Sequence, residues 1–176
     1  RSILVEKIAF ICTGDGVDGA GAFQEVTLRD NLFQVGGFGI GLQGASSGWL
    51  ITGNMIQAGA DGIRISGADH FVITKNYLSG FLGIALFGCA QLDVRHNAIL
   101  GTWQGILLGQ EAWQNKVQAN TILGVQQSGV ALEPGVTGNL VVANRVTHTY
   151  GLRQLVSAIS ILQTRLPNRL LPQPTP

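Results

Sequence analysis

Three charged side chains of the chain could take part in acid–base chemistry. Asp61 stands three residues before Arg64, so a carboxylate and a guanidinium can lie at the same edge of one strand. Glu133 lies far along the chain from both. Carboxylates can act as general acids or bases, and a guanidinium can stabilise a developing negative charge. Arg64, Asp61 and Glu133 are therefore the candidate catalytic residues.

Two further acids, Asp15 and Asp18, lie in the glycine-rich segment 14–19. Calcium prefers carboxylate and other oxygen ligands, but it takes about six to eight of them. A glycine-rich turn with solvated carboxylates is the simpler interpretation of this segment. Asp15 and Asp18 are kept as candidate Ca²⁺ ligands, and no other cofactor is expected.

The aromatic residues Phe81, Trp103 and Trp113 could supply flat apolar surfaces for a ligand. Aromatic faces are rigid and suit the apolar faces of pyranose rings. Packing in a core or at an interface is the alternative role for the same side chains. With the amides of Gln43 and Gln104, Phe81 and Trp103 are the candidate substrate-binding residues.

The composition excludes several classes of protein. Charged residues make up 12% of the 176 residues and hydrophobic residues 45%, so the body of the chain is not disordered. The net charge is +1 and the eleven basic residues are scattered, which argues against a nucleic-acid partner. No apolar run approaches the roughly 20 residues of a membrane span. Two cysteines, Cys12 and Cys89, are too few for a disulfide framework and are interpreted as buried free thiols.

A repeat of about 22 residues must position these candidates. Asparagines recur at nearly constant spacing, and large apolar residues stand three positions before and two positions after each of them. This alternation directs the apolar side chains to one face of extended chain. We expect the asparagines to stack at one corner, where their amides bond from coil to coil and their backbone adopts the left-handed conformation. The six asparagines are Asn31, Asn54, Asn76, Asn97, Asn120 and Asn144.

A second strand follows each of the first five asparagines and has the pattern Gly-apolar-x-apolar. It begins at Gly39, Gly62, Gly83, Gly105 and Gly129. Short strands at this period predict a solenoid in which each coil pairs with the coils above and below. Helical solenoids are excluded because the 25 glycines interrupt nearly every half-repeat and the apolar spacing is two rather than three or four. We therefore predict an all-β fold, a single-stranded parallel β-helix of about six coils.

Residues 62–78 carry this pattern most fully, as Gly-Ile-x-Ile-Ser-Gly, then a short turn, then Val-Ile-x-x-Asn-x-Leu. The pattern resembles the repeat of the pectate-lyase-like superfamily of right-handed parallel β-helices and covers roughly residues 7–146. The resemblance implies a protein directed at an extracellular polysaccharide, at the cell surface or outside the cell. It does not distinguish a lyase, a hydrolase or an epimerase from a non-catalytic scaffold.

The resemblance also implies that substrates lie on the outer face of the Gly-apolar-x-apolar strands. Arg64 is the cation on that face, and a lyase would use it as a base assisted by calcium held on Asp15 and Asp18. The face is poor in acids, and Glu133 has no carboxylate on the coil beneath it. An enzyme of this chain would be a polysaccharide lyase or a glycoside hydrolase, but the acids do not establish catalysis.

Residues 1–150 are expected to form the β-helix, and residues 151–176 a C-terminal capping segment with a proline-rich tail. Apolar residues that point outward suggest a covering segment or a homo-oligomer; they include Leu50, Val72, Leu140, Val142, Ala85, Phe87, Leu107, Ala131, Leu32, Met55 and Tyr77. Two functions therefore stay open. The first is binding or processing of a polysaccharide, and the second is a non-catalytic scaffold that packs against other chains.

Overall fold

The computed structural model describes residues 2–149 and the two short strands Ile159–Ser160 and Arg169–Leu170. The predicted domain boundary near residue 150 and the C-terminal capping segment otherwise lie outside the described residues. Throughout the described part the regular structure is β-strand, and no helix there is long and apolar enough to cross a membrane.

Each coil contributes one strand to each of three parallel sheets. Sheet A contains Ile3–Glu6 (β1), Val26–Arg29 (β4), Leu50–Thr52 (β7), Val72–Thr74 (β10), Asp93–Arg95 (β13), Lys116–Gln118 (β16), Leu140–Val142 (β19) and Arg169–Leu170 (β22). Sheet B contains Ala9–Cys12 (β2), Leu32–Val35 (β5), Met55–Ala58 (β8), Tyr77–Ser79 (β11), Ala98–Leu100 (β14), Thr121–Val125 (β17) and Arg145–His148 (β20). Sheet C contains Val17–Ala20 (β3), Ile40–Gln43 (β6), Ile63–Ser66 (β9), Leu82–Phe87 (β12), Gln104–Leu108 (β15), Ser128–Leu132 (β18) and Ile159–Ser160 (β21). The predicted β-solenoid of about six coils is confirmed.

The core consists of apolar columns that run along the inside of the three sheets. Alternate residues of each strand point inward, so the period of two in the sequence becomes a continuous interior. Most inward side chains between the second and sixth coils are fully buried. Examples are Leu28, Ile51, Ile73, Val94 and Val117 on sheet A, Phe33, Ile56, Leu78, Ile99 and Ile122 on sheet B, and Ile40, Ile63, Ile84, Ile106 and Val130 on sheet C.

The recurrent asparagines form a buried ladder at the corner between sheets A and B. Each side chain donates from Nδ2 to Oδ1 of the asparagine in the next coil, at 2.9 to 3.0 Å, from Asn31 through to Asn144. The same Oδ1 also accepts the backbone N–H of the preceding asparagine, as Asn76 does from Asn54 at 3.0 Å. The predicted stacking is therefore confirmed.

The prediction about the backbone of these asparagines is wrong. The left-handed conformation falls on the residue before each asparagine, and the φ angles there lie between 51° and 66°. The residues concerned are Asp30, Gly53, Lys75, His96, Ala119 and Ala143. The turn thus ends at the asparagine, whose amide is left free to point inward and bond to both neighbouring coils.

A second, shorter ladder at the corner between sheets C and A was not predicted. Asn115 Nδ2 donates to Asn139 Oδ1 at 3.1 Å, and Asn115 Oδ1 accepts the backbone N–H of Leu92 at 3.0 Å. In the earlier coils the same corner is filled by apolar groups, including Trp49 and Phe71, whose parallel rings lie 5.5 Å apart. The corner thus changes from stacked rings to stacked amides along the solenoid.

The glycine that opens each strand of sheet C allows close approach of the next coil. A Cβ atom on Gly83 would lie 2.4 Å from Cγ2 of Ile99 and 2.5 Å from the carbonyl oxygen of Gly105. Gly39 and Gly105 are equally crowded by the aliphatic side chain of sheet B and the backbone of the following coil, Gly62 is crowded somewhat less, and Gly129 is crowded by the side chain of Val146. These glycines are required for packing rather than for an unusual φ angle.

The first coil differs from the others because no coil stacks below it in the described residues. Ile8 occupies the position of the ladder asparagine, and its backbone N–H donates to Asn31 Oδ1 at 3.0 Å. Cys12 points inward on β2 but is exposed, so the prediction that both thiols are buried is correct for Cys89 and wrong for Cys12. The cause is position, since Val35, which pairs with Cys12 in the second coil, is buried.

Candidate functional site

The aromatic candidates Phe81 and Trp103 lie on consecutive coils at the corner between sheets B and C. The backbone N–H of Trp103 donates to the carbonyl oxygen of Phe81 at 2.8 Å, which fixes the two residues one above the other. Their rings are parallel within 3°, with centroids 6.4 Å apart. The two side chains are 57% and 41% exposed, so they are not part of the core. They form an aromatic pair on the outside of the solenoid.

Amide groups flank this aromatic pair. Gln127 follows Trp103 in the next coil, and its backbone N–H donates to the carbonyl oxygen of Trp103 at 2.8 Å. Gln104 lies beside Trp103 and donates from Nε2 to Oε1 of Gln127 at 2.7 Å. The corner thus presents two rings next to two amides that are already oriented by each other. Gln127 was not among the predicted residues, although it stands one repeat after Trp103 in the sequence.

Trp113 does not join this pair. It lies at the corner between sheets C and A, where it bridges Ala90 and Thr137 of the adjacent coils, and it is 44% exposed. The strand Gln104–Leu108 separates Trp103 from Trp113, so the two indoles occupy different corners of one coil. The prediction of an aromatic platform that includes Trp113 is therefore wrong.

Arg64 is held between two aromatic rings on the outer face of sheet C. Its guanidinium carbon lies 4.7 Å from the ring centroid of Phe87 and 5.7 Å from that of Phe38. Its Nη1 lies 3.1 Å from Oδ2 of Asp61. Such contacts of a cation with aromatic faces are attractive and fix the guanidinium plane. Phe38 was not among the predicted residues, because its position two residues before Ile40 gives no sign of its contact with Arg64.

The carboxylate of Asp61 is almost fully buried and bonds to the backbone as well as to Arg64. Oδ1 of Asp61 accepts the backbone N–H of Leu82 at 3.3 Å. Asp15 has the same position in the first coil, and its Oδ1 accepts the backbone N–H of Phe38 at 2.7 Å. Both acids thus satisfy a backbone donor of the following coil at the corner between sheets B and C. This contact is a structural role for each carboxylate.

The two candidate calcium ligands, Asp15 and Asp18, lie in different local environments. Asp18 is exposed on the outer face of β3 and pairs in register with Gly41, which pairs in turn with Arg64. Asp15 is bound to the backbone of Phe38. Among the described residues, no three or more His, Cys, Asp or Glu side chains come together to hold a metal ion. Two aspartates alone do not supply the roughly six oxygen ligands that calcium requires.

Glu133 does not converge with Arg64 and Asp61. Arg64 pairs with Ala85, Ala85 with Leu107, and Leu107 with Ala131, so Glu133 lies three coils further along the solenoid. Three coils correspond to about 14 Å at the usual strand spacing of about 4.8 Å. Oε2 of Glu133 accepts the backbone N–H of Gln110 at 3.1 Å. Gln43 is exposed in the second coil, in register with Ser66, and is likewise remote from the aromatic pair.

Several outward residues of sheet C are not exposed as expected. Leu82, Ala85, Leu107 and Ala131 form a small apolar cluster outside the main core, with Phe87 packed against it, and each of the four is at most 8% exposed. The sequence predicted that Ala85, Phe87, Leu107 and Ala131 face away from the core, but it could not predict that they and Leu82 cover one another. On sheet B, by contrast, Met55 and Tyr77 are exposed as expected.

A family model described as a right-handed beta helix region matches residues 12–161, which is most of the chain. No curated protein and no solved structure matches the chain significantly.

Proposed function

Because this chain belongs to the right-handed β-helix family, we propose that it binds a polysaccharide at the corner between sheets B and C, on the aromatic pair Phe81 and Trp103. The observation that carries the proposal is that these two large rings are parallel, adjacent and exposed, although nothing in the core requires them there. Contiguous exposed apolar surface marks an interaction site more often than single exposed side chains do.

The chemistry of the corner suits a sugar. The faces of pyranose rings carry C–H groups that pack against aromatic rings, while their hydroxyls need hydrogen-bond partners. Gln104 follows Trp103 in the chain and Gln127 is bonded to its backbone in the next coil, so their linked amides can meet such hydroxyls. A ligand with one apolar face and a polar edge fits this arrangement better than a purely apolar or a purely ionic ligand.

Arg64 supports a preference for acidic sugars. Its guanidinium is fixed by Phe38, Phe87 and Asp61, so it loses little freedom when it meets a carboxylate. In the described residues the acid that contacts Arg64 is Asp61. Glu133 lies three coils further along the solenoid, which separates its strand from that of Arg64 by about 14 Å. Binding without cleavage is therefore the function that the geometry favours over a lyase or a hydrolase.

A test of the proposal compares the parent with Trp103→Ala in affinity electrophoresis through gels that contain polygalacturonate or a neutral β-glucan. The variant should bind about fivefold more weakly, because one aromatic contact contributes on the order of 1 kcal/mol. Trp113→Ala is the matched control, since this similarly exposed indole lies at another corner, and it should bind as the parent does. Arg64→Ala should weaken binding to polygalacturonate and leave binding to the neutral glucan unchanged.

Two results would contradict the proposal. One is a parent that neither gel retards, and the other is a Trp103→Ala variant that is retarded as strongly as Trp113→Ala. Release of unsaturated uronates or new reducing ends by the parent would instead identify an enzyme. Loss of those products in Asp61→Asn would then assign the chemistry to the pair of Asp61 and Arg64.

A non-catalytic scaffold is the second candidate function. It is favoured by the apolar side chains of Met55 and Tyr77, which lie opposite each other on adjacent strands of sheet B and are both exposed. The two functions are compatible, because the aromatic pair lies at the corner after sheet B and not on its outer face.

A further inference from the structure

An open groove of about 350 Å³ lies on the sheet B side of the corner between sheets B and C, in the second and third coils. It is lined by Gln34, Val35, Gln57, Ala58 and Gly59. The two glutamines are in register on adjacent strands, and both are exposed. Ligand sites in proteins occupy roughly 300 to 1,000 Å³, so the groove has room for a small polar group.

The groove ends directly beneath the aromatic pair of Phe81 and Trp103. The carbonyl oxygen of Ala60, which follows Gly59 in the chain, accepts the backbone N–H of Phe81 at 2.7 Å. Gly80 carries no side chain that could separate the two features, and a Cβ atom there would lie 2.5 Å from the carbonyl oxygen of Ala60. The groove and the aromatic pair therefore form one continuous surface along this corner.

Arg64 meets the same corner from the sheet C side. Gln57 and Arg64 lie on consecutive strands of the third coil, β8 and β9. Nη1 of Arg64 lies 3.1 Å from Oδ2 of Asp61 in the turn between these strands, so this nitrogen lies at the corner. The Arg64 side chain is 39% exposed, and a guanidinium has several N–H donors, so donors remain for a carboxylate of a ligand.

The outer face of sheet C beyond Arg64 is less suited to a sugar. Ala85, Leu107 and Ala131 follow Arg64 in register, and none of the three is more than 8% exposed. A sugar placed across these aliphatic side chains would lose water from its hydroxyls without gaining a hydrogen bond from them, which is unfavourable. The polar groups that suit a sugar thus lie at the corner and on its sheet B side.

On the basis of the function proposed above, we propose that a linear acidic polysaccharide lies lengthwise along this corner, from the groove past Arg64 to the aromatic pair and Gln127. The surface extends from the second coil to the sixth, which is about 19 Å at a strand spacing of about 4.8 Å. One pyranose unit of an extended chain is about as long as one such step. The corner therefore offers about five subsites, one for each coil.

The order of groups along the corner determines where a carboxylate of the ligand belongs. Arg64 lies on the third coil, one coil before Phe81 and two coils before Trp103. A uronate unit on the third coil meets the guanidinium while the next two units pack on the aromatic rings. The unit on the second coil lies in the groove, where the amides of Gln34 and Gln57 meet its hydroxyls.

The length of the ligand tests this arrangement in the full chain. Oligogalacturonates from the dimer to the heptamer are titrated, and the indole N–H resonance of Trp103 reports binding even of weak ligands. Each added unit should raise the affinity about threefold up to about the pentamer, because each reaches a further hydrogen-bonding group. Longer oligomers should bind no more tightly, since they extend past the corner.

Substitutions assign the subsites. Gln57→Ala should weaken binding of the pentamer about fivefold and leave binding of the dimer unchanged, because the dimer is held by the aromatic pair. Arg64→Ala should have the same selective effect. Gln118→Ala is the matched control, since Gln118 points outward on sheet A, and it should bind both ligands as the parent does. Gln57 is exposed, so its replacement should leave the thermal midpoint of unfolding unchanged.

The outcomes separate this inference from the proposed function. Both are wrong if no oligomer binds, or if Trp103→Ala binds every oligomer as the parent does. If the dimer binds as tightly as the pentamer, the sugar chain crosses the corner instead of following it, and the lengthwise arrangement alone is overturned. A rise with length that Gln57→Ala does not reduce would also overturn it, because the groove would then lie outside the site.

Discussion

At the scale of single residues, the ladder asparagines join three successive coils each. Asn76 donates from Nδ2 to the carbonyl oxygen of Ile51 at 2.9 Å and to Oδ1 of Asn97 at 3.0 Å. Its Oδ1 accepts from the backbone N–H and the Nδ2 of Asn54. All of these groups are buried, so the amide satisfies donors and acceptors that water cannot reach.

Replacement of one ladder asparagine by an apolar residue should therefore be costly. Asn76→Leu has a similar volume but leaves the partner groups on Asn54, Ile51 and Asn97 without their bonds. Each buried polar group left unsatisfied costs about 1 to 3 kcal/mol, so we expect a loss of about 3 to 5 kcal/mol in the free energy of unfolding. Urea denaturation measures this loss. Ser79→Ala, on the outer face of the same coil, is the control and should change stability by less than about 0.5 kcal/mol.

The sequence predicted the asparagine ladder but not the conformation around it. Regular spacing and side-chain chemistry were enough to infer stacked amides. The left-handed residue before the asparagine has no common type, since Asp30, Lys75 and Ala119 all adopt it. Tertiary packing imposes that conformation at a cost of about 1 to 2 kcal/mol per residue. No residue type therefore marks the left-handed position in the sequence.

At the scale of elements, the strands of sheet C depend on a glycine at the corner where each begins. The backbone of one coil approaches the next so closely at Gly83 that any side chain would meet the carbonyl of Gly105. This contact cannot be relieved by a change of rotamer, because the obstructing atom belongs to the backbone. The glycine of the recurrent Gly-apolar-x-apolar pattern thus indicates that successive coils approach closely, and the apolar residues indicate a strand.

Gly83→Ala should destabilise the protein by about 3 kcal/mol, through steric overlap with Ile99 and Gly105. Gly41→Ala is the matched control on the same sheet. A Cβ atom there would lie 3.6 Å from its nearest neighbours, which is ordinary contact, and the backbone has no left-handed strain. The control should be neutral or stabilising by up to about 1 kcal/mol. Equal thermal midpoints for the two variants would refute this account of the glycine column.

The candidate site could be predicted from the sequence only where it follows the repeat. Phe81 and Trp103 are one period apart, so their stacking on adjacent coils follows from the spacing. The short distance from Asp61 to Arg64 likewise predicts their contact. Whether Phe38 and Phe87 reach Arg64 depends on rotamers and on packing between coils, which the spacing does not specify. The same reason explains why the apolar cluster around Leu107 was expected to be exposed.

At the scale of the whole molecule, each coil contacts only its neighbours. Stability is then the sum of coil and interface contributions, and local opening is easiest at the ends. Cys89 lies in the turn between β12 of the fourth coil and β13 of the fifth, and it is fully buried. Its Sγ donates to the carbonyl oxygen of Phe87 at 3.2 Å. Burial raises the pKa of the Cys89 thiol, so the reactive thiolate is also disfavoured.

Modification of Cys89 should report the opening of the central coils. In the Cys12→Ser variant, a thiol reagent at neutral pH should react at least about a thousandfold more slowly than in urea, because opening costs several kcal/mol. Addition of Met55→Cys should introduce a fast phase from an exposed thiol, which serves as the internal control. Rapid reaction of Cys89 in native buffer would mean that the central coils open far more easily than their packing suggests.

The asparagine ladder has one further consequence for how such a chain can change in length. From Asn31 to Asn144, every joint at this corner uses the same donors and acceptors, with Nδ2 directed toward the next coil and Oδ1 toward the previous one. Duplication or deletion of one complete period therefore regenerates an identical joint, whereas a partial insertion breaks the alignment of every column. Gene segments that encode whole coils can be gained or lost in evolution, and the outer surface then lengthens or shortens in steps of one rung.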